Sequence, residues 1–105
     1  MDTLTLIYIT IDNYEGAKKI IEELLKEKLI ACANIFCNVT SMYLWQGEVR
    51  SESEVIVIVK SLSTLAHDVI AKIKSIHPYE IPGIIAIPTD KVDNDFYTWI
   101  CGCIN

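Results

Sequence analysis

Two long hydrophobic stretches in the middle of the chain are separated by one short polar segment. They cover residues 31–45 and 54–59, and β-branched and aromatic side chains are frequent in both. Gly47 is the only glycine between them, so the pattern predicts a β-hairpin that turns at residues 45–48. Strands usually hold about five or six residues. The arms of this hairpin should therefore project beyond the sheet and present unpaired backbone groups to another chain.

The segment before the hairpin predicts one strand and one helix. Residues 4–11 follow Thr3, begin with leucines on either side of Thr5 and continue as an apolar run, which is typical of a strand. Apolar residues then recur at helical spacing along residues 17–25, and charged residues occupy the other side. This spacing predicts a helix with one buried face, for which Asp12 is the expected N-cap and Glu15 its capping-box partner.

The segment after the hairpin predicts two helices and one strand. Residues 62–76 carry an apolar stripe behind Ser61, the expected N-cap, and the helix should end before Pro78. Residues 84–87 predict a fourth strand, and residues 95–101 a short third helix. The order β-α-β-β-α-β-α is the ferredoxin-like, or split βαβ, arrangement of the α+β class, in which the two long helices cover one face of an antiparallel sheet.

The other face of that sheet should also be covered. Residues 6–9, 55–59 and 84–87 are continuous apolar runs, a pattern typical of strands that are buried on both faces. A monomer would expose a larger apolar patch than soluble monomers usually tolerate. We therefore expect sheets from several subunits to pack face to face, with the long hairpins pairing edge to edge.

The size and charge of the chain narrow the possible classes of function. Its 105 residues have the size of one domain, residues 1–105, and a hydrophobic content of 51% supplies a core. The formal net charge is -5 and the nine basic residues are scattered, so we expect no nucleic-acid partner. No apolar run approaches the ~20 residues that span a bilayer, and no leader sequence is visible. We expect a cytoplasmic protein without membrane contact, in which the four cysteines are reduced thiols.

Several segments together resemble a known family. They are Ala-Cys-Ala-Asn-Ile at residues 31–35, Val-Thr-Ser-Met-Tyr-Leu-Trp-Gln-Gly-Glu at 39–48, His-Pro-Tyr-Glu-Ile-Pro at 77–82 with the strand 84–88, and Asp-Phe-Tyr-Thr-Trp at 95–99. In this order they resemble the CutA-like divalent-cation tolerance proteins, and the resemblance covers nearly the whole chain. It implies a ferredoxin-like subunit in a tight homotrimer, whose intersubunit clefts are similar to those of the nitrogen-signalling P-II proteins.

The resemblance also implies a link to tolerance of copper and other divalent metals. Copper-associated members carry a cysteine in the first strand, before the threonine that corresponds to Thr10, and a pair of histidines before the Pro-Tyr. This chain has Ile9 and Ile76 at those positions and keeps only His77. This departure weakens the case for a copper site carried over from the family. We therefore assign no cofactor, and copper or another divalent metal ion is the candidate ligand.

The polar segment between the second helix and the fourth strand holds the candidate metal ligands. His77 can coordinate through a neutral imidazole, Glu80 through its carboxylate, and Tyr79 can hydrogen-bond a ligand. Two ligands do not complete a metal site. The alternative is that two prolines shape a tight connection here and that His77 and Tyr79 are satisfied at a subunit contact, and we favour this alternative.

Three further residues are candidates for a ligand cleft or a trimer contact. Trp45 lies at the predicted hairpin tip, Lys60 ends a buried strand, and Trp99 belongs to the last segment of the resemblance. Lys60 could face an anionic ligand, but an ion pair with Glu54 or Glu52 is the favoured interpretation. The Cys-Gly-Cys at residues 101–103 could bind a soft metal ion, yet we favour a frayed tail with ordinary thiols.

No pattern of nucleophile and base is visible, so we do not expect an enzyme. Three hypotheses remain. The first is a homotrimer of divalent-metal tolerance, acting in the response to metal ions with weak metal binding. The second is a P-II-like sensor that binds an anionic metabolite in the intersubunit clefts. The third is a structural trimer that recruits an unknown protein partner.

Overall fold

A four-stranded antiparallel sheet with three helices makes up the computed structural model, which describes residues 2–105. The elements are β1 (Leu4–Ile11), α1 (Tyr14–Lys26), β2 (Cys32–Trp45), β3 (Glu48–Leu62), α2 (Ala66–Ile76), β4 (Ile84–Pro88) and α3 (Asn94–Ile104), with a 3-10 turn at Ser63–Leu65. The strands are ordered β2-β3-β1-β4. The predicted α+β class and the predicted order of elements are confirmed.

The main core lies between the sheet and the helices α1 and α2. Alternate residues of the two central strands point to this side, and Ile7 and Val59, which are register partners, are both fully buried. The helices contribute the apolar stripes that their spacing predicted, with Ala17, Ile20 and Leu24 from α1 buried in the same cluster. Burying one such aliphatic side chain stabilises a fold by about 1.5–3 kcal/mol, so this layer holds the helices on the sheet.

The cap of α1 differs from the prediction. Asn13, not Asp12, is the N-cap, and its Oδ1 accepts the N–H of Gly16 at 2.6 Å. Asp12 instead accepts a hydrogen bond from the Asn13 side chain at 2.7 Å. The helix therefore begins one residue later than expected, because the side chain that meets the third helical N–H decides the cap.

The start of α2 also differs from the prediction. Ser61 lies within β3 and is fully buried, where its hydroxyl donates to the Leu29 carbonyl oxygen at 2.6 Å, so it is not an N-cap. The chain first makes the 3-10 turn, and Asp2 caps that turn by accepting the N–H of Thr64 at 3.1 Å and its hydroxyl at 2.8 Å. A residue sixty-two positions away in the sequence thus does the capping.

The second face of the sheet is covered only at one end. There α3 packs Ile100 and Ile104 against Leu4 and Leu62. Over the rest of this face the strands β2 and β4 expose large apolar side chains: Phe36 (48% exposed), Ile85 (55%) and Ile87 (43%). Within one chain the expected burial on both faces is therefore incomplete.

The β2–β3 hairpin extends well beyond the two inner strands. Its arms hold 14 and 15 residues, against eight in β1 and five in β4. Gln46 and Gly47 form the turn with φ of 50° and 81°, the left-handed pair that matches the twist of a two-residue hairpin loop. The turn lies at the predicted residues. None of the helices in residues 2–105 has the length and apolar character needed to cross a membrane.

Candidate functional site

An open cleft of about 640 Å³ lies where the hairpin meets the end of β1 and the connection from α2 to β4. Three separate parts of the chain supply its walls: Thr10 and Asp12; Tyr43, Trp45, Arg50, Glu52 and Glu54; and Tyr79, Glu80 and Ile81. The cleft opens on the face of the sheet opposite α1 and α2. Its lining combines aromatic and charged side chains.

The hairpin contributes its side chains to the cleft by strand alternation. Arg50, Glu52 and Glu54 are two residues apart along β3, so they project from the same face. Tyr43 is the register partner of Arg50 on β2, and its hydroxyl donates to Glu52 at 2.8 Å. This hydrogen bond to a carboxylate raises the pKa of the Tyr43 phenol.

Tyr79 joins the connection after α2 to the hairpin. Its hydroxyl donates to the carboxylate of Glu54 at 3.0 Å. Burial raises the pKa of Tyr79 far above its usual value, and the hydrogen bond to Glu54 and the negative charge of Glu54 act in the same direction. Tyr79 is therefore a neutral donor at physiological pH, and it fixes one oxygen of Glu54.

His77 lies behind Tyr79 and is almost fully buried. Its Nδ1 accepts the backbone N–H of Tyr79 at 3.1 Å, so the proton is on Nε2, which donates to the carbonyl oxygen of Thr10 at 2.7 Å. The two rings also meet edge to face, with centroids 4.7 Å apart. Both ring nitrogens are thus occupied within the chain, and the predicted role of His77 as a metal ligand does not fit this geometry.

The charge of the cleft is strongly negative. Asp12, Glu52, Glu54 and Glu80 supply four carboxylates, and Arg50 is the one basic residue of the lining. The ion pairs found within residues 2–105 all involve Lys72, which contacts Glu27 at 2.7 Å and Glu23 at 4.0 Å. The cleft carboxylates are therefore not neutralised by a paired basic side chain.

Residues 5–102 match the family described as CutA1 divalent ion tolerance protein. The chain belongs to this family. It is 37% identical over 97 residues to the divalent-cation tolerance protein CutA of Pyrococcus horikoshii, covering 92% of this chain and 94% of that protein. It is 33% identical over 95 residues to the chloroplastic protein CutA of Arabidopsis thaliana, covering 90% of this chain but only 52% of that longer protein.

The structure of CutA1 from Ehrlichia chaffeensis superposes with a TM-score of 0.96. The two chains are 40% identical, and the match covers 100% of this chain and 98% of the other. The predicted family is therefore confirmed along nearly the whole chain, and the fold is that of solved CutA structures. The family is named for divalent ion tolerance and not for a reaction.

The structure brings together only part of the predicted site of this CutA family member. Trp45, Tyr79 and Glu80 line the cleft. Lys60 does not, since its ammonium group donates to the side-chain oxygen of Asn34, and the favoured ion pair with Glu54 or Glu52 is wrong. Trp99 lies on α3, 52% exposed, and stacks on Phe96 with ring centroids 6.0 Å apart.

Seven residues of the cleft lining do not follow from the sequence as site residues: Thr10, Asp12, Tyr43, Arg50, Glu52, Glu54 and Ile81. Asp12 was expected to cap a helix, and neither Tyr43 nor Arg50 was expected at a site. The usable signal was the alternation of charged residues along β3, which indicated that Arg50, Glu52 and Glu54 share one face. Their meeting with Asp12 depends on strand pairing that no local pattern specifies.

The cysteines do not form a metal centre within one chain. Residues 2–105 contain no group of three or more His, Cys, Asp or Glu side chains placed to hold a metal ion. Cys101 and Cys103 lie inside α3, which continues to Ile104, so the predicted frayed tail is wrong. A helical spacing of two residues points their side chains about 200° apart, so this pair cannot chelate one ion.

Proposed function

We propose that this protein contributes to tolerance of divalent cations as a homotrimer whose clefts bind such ions weakly. Membership of the CutA1 divalent ion tolerance family supports the process. The observation that supports direct binding of ions is the composition of the cleft. Its lining includes one basic side chain, Arg50, and four carboxylates, those of Asp12, Glu52, Glu54 and Glu80.

The proposed ligand set uses oxygen atoms, not the imidazole of His77. Glu80 is exposed at the cleft and keeps its place as a candidate ligand, together with the carboxylate of Glu54, of which Tyr79 occupies one oxygen. Within one chain these groups do not form a closed metal site. Weak binding, with water or a neighbouring subunit completing the coordination, is the consequence we expect.

The metal preference follows from the donor set. Carboxylate and water oxygens suit Mg²⁺, Ca²⁺ and Mn²⁺, whereas the soft and imidazole ligands that favour copper are not offered at this cleft. The affinity for Cu²⁺ should be measured beside those for the other ions, because Cu²⁺ is the most tightly held of the divalent first-row ions at most sites.

Isothermal titration calorimetry tests direct binding. Wild type, Glu80→Gln and Glu54→Gln are titrated with Mn²⁺, Zn²⁺ and Cu²⁺, and Glu22→Gln on the exposed side of α1 controls for net charge. We expect millimolar to sub-millimolar affinity that falls at least about fivefold, ~1 kcal/mol, in the two cleft variants and not in the control. Equal affinity in all four proteins would refute cation binding at this cleft.

The homotrimer is supported by the uncovered sheet face and the long hairpin. Ile85 is 55% exposed and Phe36 is 48% exposed on a face that α3 covers only at one end. Packing of equivalent faces would remove this apolar surface from water at about 25 cal/mol per Å². The hairpin arms are longer than β1 and β4, so they present backbone N–H and C=O groups that could pair with a strand of another subunit.

Size-exclusion chromatography with light scattering tests the assembly. Wild type should have the mass of three 11.9 kDa chains. Ile85→Asp should dissociate, since it places a charge in the proposed interface, whereas Leu25→Asp on α1 changes a residue of similar exposure, 42%, and should leave the mass unchanged. A wild-type mass of one chain at micromolar concentration would overturn the proposal.

The alternative of an anionic metabolite gains no support from this cleft. Four carboxylates against one guanidinium repel an anion within one chain. A structural trimer that recruits another protein would show neither metal binding nor its loss in Glu80→Gln, so the titration separates it from the proposed function.

A further inference from the structure

We draw no further inference here: the strongest candidate, the groove of about 620 Å³ that Ile76 and Pro78 form with one side of α1, carries nothing, because its floor of Ile11 and Ile20 is already buried in the core and nothing in the structure shows what covers it.

Discussion

The imidazole of His77 donates its Nε2–H to the main-chain carbonyl oxygen of Thr10 across 2.7 Å. This bond ties the residue after α2 to the end of β1, while the opposite ring nitrogen holds the N–H of Tyr79. A histidine beside an acidic cleft thus serves as a bridge between main-chain groups. Its removal should affect the fold and the shape of the cleft before it affects any metal ion.

The first prediction concerns His77→Ala. Two hydrogen bonds at a nearly buried site are lost, and each contributes about 0.5–1.5 kcal/mol net, so we expect the free energy of unfolding to fall by about 2 kcal/mol. Urea titration followed by circular dichroism, at one fixed protein concentration, measures the change. His77→Gln, whose amide can replace the donor to Thr10, should recover part of it.

The same variants separate the two roles considered for His77. We expect a folded His77→Ala protein still to bind metal ions, because neither ring nitrogen is free to coordinate in the wild type. A folded His77→Ala protein that no longer binds metal would show that the ring leaves Thr10 and becomes a ligand.

The second prediction concerns the close approach of Gly83 to Thr10. A Cβ at Gly83 would lie 2.9 Å from Oγ1 of Thr10, and the main chains are also joined there by the bond from the Thr10 N–H to the Gly83 carbonyl oxygen at 3.1 Å. We expect Gly83→Ala to lower the free energy of unfolding by about 1–3 kcal/mol through crowding. Thermal unfolding of the variant measures the loss.

A double variant checks that cause. Thr10→Ala removes the side chain that the new Cβ meets, so Gly83→Ala should cost less in a Thr10→Ala background than in wild type. The coupling free energy should be about 1 kcal/mol. Simple addition of the two single effects would mean that the backbone, not the Thr10 side chain, opposes the substitution.

The third prediction concerns pH and Asp2. Burial would raise the pKa of this carboxyl, but hydrogen bonds from Ser63, from Thr64 and from the backbone outweigh it, and the pKa lies below its ordinary 3.8. A carboxyl with a lowered pKa in the folded state stabilises the fold above its unfolded pKa and loses that contribution as the pH falls through the folded value. Its contribution is therefore complete at neutral pH and declines as the pH falls below about 3.8.

Asp2→Asn tests this sign. The stability difference between wild type and Asp2→Asn should be constant from about pH 5 to pH 8 and should shrink as the pH falls below 3.8. Chemical unfolding at several pH values measures it. A difference that grows toward acidic pH would contradict a lowered Asp2 pKa in the folded state.

The fourth prediction concerns the hairpin turn. Gly47 has φ of 81°, where an L side chain is strained, although a Cβ there would meet no neighbour within 4 Å. Gly47→Ala should therefore cost about 1 kcal/mol through backbone strain alone. Gln46→Asn should have the opposite sign, by a few tenths of a kcal/mol, since asparagine tolerates the left-handed region better. Thermal unfolding of both variants compares the two effects, and equal effects of both would exclude this explanation.

Local patterns determined the class, the order of the elements and the hairpin turn of this protein. The helical spacing in α1 and the unbroken β-branched run in β3 both reflect which side chains are buried. Because burial recurs with the period of the helix or strand, the apolar residues repeat with that period in the sequence. The same patterns did not determine the caps. Asn13 and Asp2 provide the caps that were expected from Asp12 and Ser61. A cap requires a side-chain oxygen within hydrogen-bonding distance of a free backbone N–H, and local sequence does not specify that distance.

Only the tertiary structure decided which candidate residues share a site. The sequence by itself indicated the family and marked Trp45, Tyr79 and Glu80, which meet at the cleft. It did not predict that Asp12 lies beside the hairpin, that Lys60 donates to Asn34, or that both ring nitrogens of His77 form hydrogen bonds within the chain. These contacts join residues far apart in the chain, and strand register together with the path of the α2–β4 connection fixes their distances, which no local periodicity encodes.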